Sequence, residues 1–388
     1  MVNEQTLQSL YSDMVKWRRH LHQNPELSFQ EYNTSAKIID LLTSWGLEVR
    51  SAAGTGVIAK IVGELPGKTI ALRADIDALP IQDEKKTEYR SLVEGVMHAC
   101  GHDGHTAELL AVARYYSIHR HELVGTRVFL FQPGEEMLPG GAVGMIAEGA
   151  LQGVDAIYGV HLWSPMPYGV VATRSGPFMA SPDEFELEII GRGGHAGLPH
   201  ECADALVAGA AVVLALQTIV SRNVNPLESA VLTIGNISAG SANNVIADTC
   251  HLGGTIRSFE PELRELMHKR LKDTVHHICE LHGCHYELTT EMGYPPVVND
   301  DLEATRLLKV AREMMPEGAI ICDRVMAGED FSYYLEQVPG CFFFVGAGLP
   351  DGASAAHHHP QFDIVEQAML SSAKLLIAVS DDAAKIEQ

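Results

Sequence analysis

Basic side chains are scarce in this chain: 28 Lys and Arg stand against 50 Asp and Glu, a formal charge of −22 over 388 residues. A surface so short of positive charge lacks the footprint that neutralises a phosphate backbone, so nucleic acid is not an expected partner. Long apolar runs are missing too. The longest, Ala205 to Leu216, stops at Gln217, short of the about 20 residues a membrane span needs; a buried helix is expected there, and no membrane. Met1 to Tyr11 has no basic stretch followed by an apolar core, so no secretory signal is expected. Seven cysteines at irregular spacing form no disulfide framework and suit a reducing, cytoplasmic compartment. Internal repeats, low-complexity tracts and the Gly-x-Ser-x-Gly nucleophile pattern are all absent, which removes one familiar route to hydrolysis. Gly54-Thr55-Gly56-Val57-Ile58-Ala59 matches a dinucleotide fingerprint by letter only. Strand-like residues follow it where a helix must begin, so no nicotinamide cofactor is expected.

What is present is the composition of a globular protein, 46% hydrophobic and 20% charged, long enough for two domains. Leu7, Leu10, Met14, Trp17 and Leu21 fall at helical spacing, and residues 31–45 repeat the pattern. Apolar β-rich runs follow at Val57–Val62, Thr69–Ala74, Thr126–Phe131 and Ala156–His161, with a helix expected over Gly104–His119. Strands alternating with helices predict an α/β sheet layered between helices. After Gly176-Pro177 the order changes. Strands at Phe185–Ile190, Ala230–Ile237, Val245–Ser258 and Cys284–Thr290 enclose helices at Ala203–Arg222 and Pro261–His282. That β-α-β-β-α-β order predicts a ferredoxin-like α+β domain. It is read as an insertion, residues 179–291, into a discontinuous domain of residues 1–178 and 292–388.

The chemistry concentrates in a few segments. His98-Ala99-Cys100-Gly101-His102-Asp103-Gly104-His105 gathers imidazole and thiol donors suited to a divalent transition metal, and Gly101 lets the chain bend so that Cys100 and His102 face one site. Gln132-Pro133-Gly134-Glu135-Glu136 supplies adjacent carboxylates at a turn, where one can bind metal and the other move a proton. His161 closes an apolar run, at the strand end where ligands are expected in an α/β sheet. His357-His358-His359-Pro360 adds imidazole, of which one ring suffices. Gly191–Gly197 presents His195 on a flexible turn, placed to stabilise an oxyanion. Asn244 and Arg257 share its domain, and an Arg suits bidentate capture of a carboxylate.

Together these segments resemble the M20 metallopeptidase family, in its amidohydrolase branch of hippurate hydrolases, N-acyl-amino-acid deacylases and auxin-conjugate hydrolases. The resemblance runs from Arg73-Ala74-Asp75-Ile76-Asp77 through Met97–His105, Gln132–Glu136, Gly159-Val160-His161, Gly191–Gly197, Asn244-Val245-Ile246 and Gly328-Glu329-Asp330-Phe331 to His358-His359-Pro360. It implies a zinc-exopeptidase-like catalytic domain with an inserted lid that also forms a homodimer. It implies two divalent metal ions per subunit, whether manganese, zinc, cobalt or nickel. Cys100 would bridge them, with Glu136 and His358 completing one site and His102 and His161 the other. Glu135 would be the general base acting on a metal-activated water. His195 would reach the partner's site as oxyanion donor, and Asn244 and Arg257 would hold the substrate carboxylate. Asp75 stands where many members of the wider family have a metal-binding His, and Cys100 where they have a bridging Asp. The amidohydrolase branch shares both changes, which leaves Asp75 and Asp77 to orient the ligands from behind. The loop Met137–Gly141 departs from the commoner glycine-rich form.

The expected activity is therefore hydrolysis of the amide in a small N-acyl amino acid, N-acetyl, N-benzoyl or similar. The alternatives are a dipeptidase or aminopeptidase on the same scaffold, and a catalytically silent metal-binding assembly protein.

Overall fold

The computed structural model describes residues 2–352 and 354–386. The chain forms two compact units: Met1–Phe178 with Val297–Asp323 and Asp330–Gln388, and Met179–Pro296 with Arg324–Glu329. The short segment Arg324–Glu329 returns to the smaller unit, a return that the expected boundaries, 179–291 and 292–388, did not include.

The larger unit is built on an eight-stranded mixed sheet. Its middle strands, Val124–Gln132, Leu65–Asp75, Ala156–Pro167 and Gly340–Gly348, run parallel to one another in that order. Glu48–Ala52 and Gly56–Val62 extend one edge antiparallel; Val171–Thr173 and Ala319–Ile321 extend the other. Parallel strands covered by helices on both faces must be apolar on both. Accordingly Ile70, Ala71 and Leu72 are all fully buried, as are Cys341, Phe342 and Phe343. Each large side chain buried in this way contributes roughly 1.5–3 kcal/mol. The helix His102–Ile118 lies within this core; Leu109, Leu110, Ala111, Val112 and Ala113 are buried around its whole circumference, and only its last turn, at Ile118, is exposed, the composition of a helix that is apolar on every face for most of its length.

The register of the parallel strands decides where the chemistry sits. Asp75 ends one strand and Gln132 ends its neighbour, paired with it. His161 lies in the next strand. Asp77, Glu135 and Glu136 follow these ends within a few residues, so the polar side chains expected to act gather at the carboxyl ends of the strands, where an open α/β sheet leaves room for a ligand.

The smaller unit has the ferredoxin-like arrangement. Its strands Ser181–Ile190, Ala230–Ala239, Thr249–Ser258 and His285–Glu291 form one antiparallel sheet in the order second, third, first, fourth. Phe185, Leu187 and Ile189 alternate inward onto the helices Ala205–Asn223 and Pro261–Leu281, forming a second core. The expectation of a buried helix near residue 205 needs correction. Ala208, Val212, Leu216 and Ile219 are buried, but the opposite face exposes Leu206, Val207 and Leu214, the last at 73%. Among the described residues this helix is the one long and apolar enough to cross a membrane. Its composition instead serves two faces, one against the unit's own core.

Candidate metal centre

The helix expected from Gly104 starts at His102. Gly101, at φ +97°, takes the left-handed conformation that a residue with a Cβ resists, so Cys100 and His102 emerge on either side of a sharp entry into the helix. Gly134, at φ +61°, makes the corresponding turn before Glu135 and Glu136. Its N–H donates to Glu31 Oε1 at 2.9 Å, and a Cβ there would stand 2.4 Å from the Phe29 ring. The third loop is tied to the first by the N–H of His358, which donates to the Ala99 carbonyl at 2.8 Å. His358 itself is left-handed, at φ +64°, a strain of about 1–2 kcal/mol for a residue with a side chain.

These turns bring together residues far apart in sequence. Cys100 Sγ lies 3.3 Å from His161 Nε2. Glu136 Oε1 lies 3.2 Å from His358 Nε2 and 3.8 Å from His102 Nε2. Donor atoms of Cys100, His102 and Glu136 all fall within 4.8 Å of one another, as do those of Cys100, His161 and His357. Glu135 Oε2 and Asp75 Oδ2 approach His102 Nε2 to 4.0 and 3.8 Å.

Hydrogen bonds assign a tautomer to each ring. His102 Nδ1 faces the Asp77 backbone oxygen at 3.1 Å and its carboxylate at 3.2 Å, both acceptors, so Nδ1 carries a proton and Nε2 is the nitrogen left for a cation, which would take the place of any proton there. That Nε2 is buried and makes no hydrogen bond. His161 Nδ1 faces the Leu162 carbonyl at 3.1 Å, which likewise leaves Nε2 bare and directed at Cys100. His105 is spent at both ends: Nδ1 meets Asp75 Oδ1 at 2.6 Å, and Nε2 accepts the Leu162 N–H at 2.9 Å. A ligand histidine needs one free nitrogen and a firm acceptor on the other. His102 and His161 meet that condition and His105 does not.

The charges around these donors are unbalanced in one direction. Although burial opposes the charged form of His102, Asp75, Asp77 and Glu136 outweigh it and push its pKa up to about 10. Burial, then Glu136, Glu135 and Asp75, drive the Cys100 thiol well above its ordinary value. Burial also favours protonated Asp75, but His102, His105 and Arg73 hold it well below the usual carboxylate range. A bare, buried imidazole nitrogen ringed by three carboxylates and a thiol is a poor arrangement without positive charge and a good one around cations. The mixed nitrogen, sulfur and oxygen donors suit first-row divalent metals.

Asp77 sits behind His102, on its Nδ1 side, whereas Asp75 faces His102 Nε2 and is bonded to His105. Asp77 also accepts the N–H of Glu136 at 3.0 Å and the Ser28 hydroxyl at 2.7 Å. Arg73 spans Asp75 and Asp330 at 2.6 and 2.8 Å. Sequence reasoning missed Arg18, fully buried in the helix Glu4–Gln23, which donates to Asp103 at 3.0 Å and to Asp363 at 2.5 Å. It also missed His22, which lies 2.8 Å from Asp103. The one signal was a charged residue on the apolar face of an amphipathic helix.

In the smaller unit, His195 is exposed and paired with Val245, and the N–H of Ala196 donates to the Asn244 carbonyl at 3.1 Å, so His195 and Asn244 are neighbours. His195 Nδ1 accepts the Gly197 N–H at 3.0 Å, which places the proton on Nε2, facing outward as a donor. Arg257 is half-buried on the strand Thr249–Ser258. Its Nη1 donates to Thr255 Oγ1 and to the carbonyls of Ile256 and Asp183 at 3.3 and 3.4 Å.

The profile of peptidase family M20/M25/M40 matches residues 71–381. The chain belongs to peptidase family M20. Among its M20 relatives, the putative amidohydrolase YhaA of Bacillus subtilis (strain 168) is 48% identical over 97% of this chain and 95% of its own. An N-acyl-L-amino acid amidohydrolase of Geobacillus stearothermophilus is 47% identical over 75% of this chain and 79% of its own. The crystal structure of Bacillus subtilis YXEP, described as a dinuclear metal binding peptidase from the M20 family, superposes with a TM-score of 0.82. It shares 33% identity, with 97% of this chain and 99% of that one covered. The zinc-exopeptidase-like fold expected from the sequence is thus the fold of this M20 chain.

Proposed function

We propose that this M20 hydrolase cleaves the amide of N-acyl amino acids, releasing a carboxylate and a free amino acid. The observation that carries the proposal is the bare, buried Nε2 of His102 facing Cys100, Glu135 and Glu136. Its support outside the site is the near-half identity to an N-acyl-L-amino acid amidohydrolase.

Cys100, His102, Glu136, His161 and His358 would hold two divalent cations, Cys100 shared between them. Once bound, such ions supply Lewis acidity that polarises the acyl carbonyl and makes water a nucleophile at neutral pH. Glu135, next to a ligand and buried, takes the proton from the attacking water and passes it to the leaving amine. His195, with its proton on Nε2, donates to the oxyanion of the tetrahedral intermediate. Asn244 and Arg257 hold the amino-acid carboxylate. The smaller unit acts as lid and dimerisation domain, and His195 serves the site of a second copy; the exposed Leu206, Val207, Leu214 and Ile237 are the apolar surface such a homodimer would cover.

The test is a panel of N-acetyl and N-benzoyl amino acids beside dipeptides, run on metal-stripped protein reconstituted with manganese, zinc, cobalt or nickel. Turnover of the acyl amino acids, abolished by stripping and restored by one of the cations, is expected. Turnover confined to dipeptides would replace the proposal with peptidase activity, and inertness with every cation would refute hydrolysis altogether.

A further inference from the structure

We infer that His357 is not a metal ligand but the hydrogen-bond donor that holds the sulfur of Cys100. The inference rests on the metal centre proposed above and assigns a positioning residue within it.

Two imidazoles flank Cys100 Sγ, His161 at 3.3 Å and His357 at 3.8 Å, and by distance alone either could share a cation with it. Their far nitrogens separate them. His161 has a carbonyl oxygen, Leu162 O, beside Nδ1; a carbonyl only accepts, so the nitrogen facing sulfur is bare. His357 has a backbone N–H, that of Ser164, beside Nε2 at 3.2 Å. An amide N–H only donates, so Nε2 is the bare nitrogen. The proton of the neutral ring is then on Nδ1, the nitrogen that faces sulfur. One ring offers the shared sulfur's cation a lone pair. The other offers the sulfur a proton.

The ring of His357 is not free to reverse these ends. It stacks on Trp163, with centroids 4.6 Å apart and planes 29° apart, and lies 5.0 Å from Phe362 at 38°, with His161 edge-on at 4.9 Å. Turning it over would also strand the Ser164 N–H, a cost that buried amides rarely bear. An N–H pointed at a thiolate stabilises the sulfur lone pairs and weakens their donation to a metal, as hydrogen bonds to sulfur do in iron–sulfur centres. His357 thereby sets the position and donor strength of Cys100 while leaving the ligand count to other residues.

Cobalt(II) reports both properties, bound metal per chain and the energy of the sulfur-to-metal charge-transfer band. In His357→Phe, which keeps the ring stack and removes both hydrogen bonds, cobalt per chain should equal the wild-type value and the band should move to longer wavelength. His357→Gln, which can still accept from Ser164 but has no donor at the Nδ1 position, should shift the band the same way; it also serves if the Phe variant does not fold. His357→Asn, whose amide N–H lies near the Nδ1 position, should return the band toward the wild-type wavelength. One cobalt fewer in the Phe or Gln variant would make His357 a ligand and overturn the inference. An unmoved band in both would overturn it equally. A wild-type chain that takes up no cobalt would refute the metal centre itself, and the inference with it.

Discussion

Asp77 holds the ring of His102 from behind, with its carboxylate and its backbone oxygen 3.2 and 3.1 Å from Nδ1. The same carboxylate anchors the backbone of Glu136, so one side chain sets two of the proposed ligands. Carboxylates placed in this way fix the tautomer of a ligand histidine and raise its basicity, and their loss typically costs about 10–100-fold in metal affinity. Asp77→Asn should weaken metal binding by about that factor, measured by competition against a chromophoric chelator. Unchanged affinity would remove Asp77 from the centre.

Arg18 neutralises a second buried layer. It bridges Asp103, the neighbour of His102, to Asp363, five residues beyond His358, and also reaches Glu366 at 3.2 Å. Removing one partner of a buried ion pair leaves charge uncompensated, at about 3–5 kcal/mol. Arg18→Met should lose that much stability in urea unfolding, whereas an exposed pair would lose at most about 1 kcal/mol.

Glu135 is proposed to move protons and Glu136 to bind metal, although they are adjacent. Glu135→Gln should lower kcat by about 10²–10⁴-fold, the range of general acid–base catalysis, with metal content and KM little changed. Loss of metal in this variant, seen by elemental analysis, would exchange the two assignments.

The smaller unit should carry its own acid sensitivity. Asp183 is fully buried; burial favours its neutral form, but hydrogen bonds from Arg264 and His268 outweigh this and bring its pKa down to about 2. Because the folded pKa lies below the unfolded value of about 3.9, the stabilisation is complete above that value and is lost as pH falls toward 2. Between about pH 4 and 2, wild-type stability measured by denaturant titration should fall more steeply than that of Asp183→Asn. Parallel slopes would show that Asp183 does not govern the acid limb.

Much of the large sheet was legible in the sequence because its central strands are short apolar runs ended by turn residues, as at Thr69–Ala74 and Thr126–Phe131. Cys100, His102 and the Glu pair stood out because their spacing is local. Contacts across long sequence distances were not legible. Nothing in the order of the chain says that Arg18 will meet Asp363. Nor does it rank His357, His358 and His359, which are identical by letter; a left-handed backbone at His358 and an amide N–H beside His357 separate them only in the folded chain. The helix near residue 205 was misjudged because composition cannot tell a two-faced apolar helix from a submerged one.

The left-handed turn at His358 has a bearing on engineering. A glycine there would relax the backbone and toughen the fold, yet would delete one of the proposed metal ligands. Selection for heat resistance alone should therefore drift toward that exchange, and a robust but inert protein would be its signature.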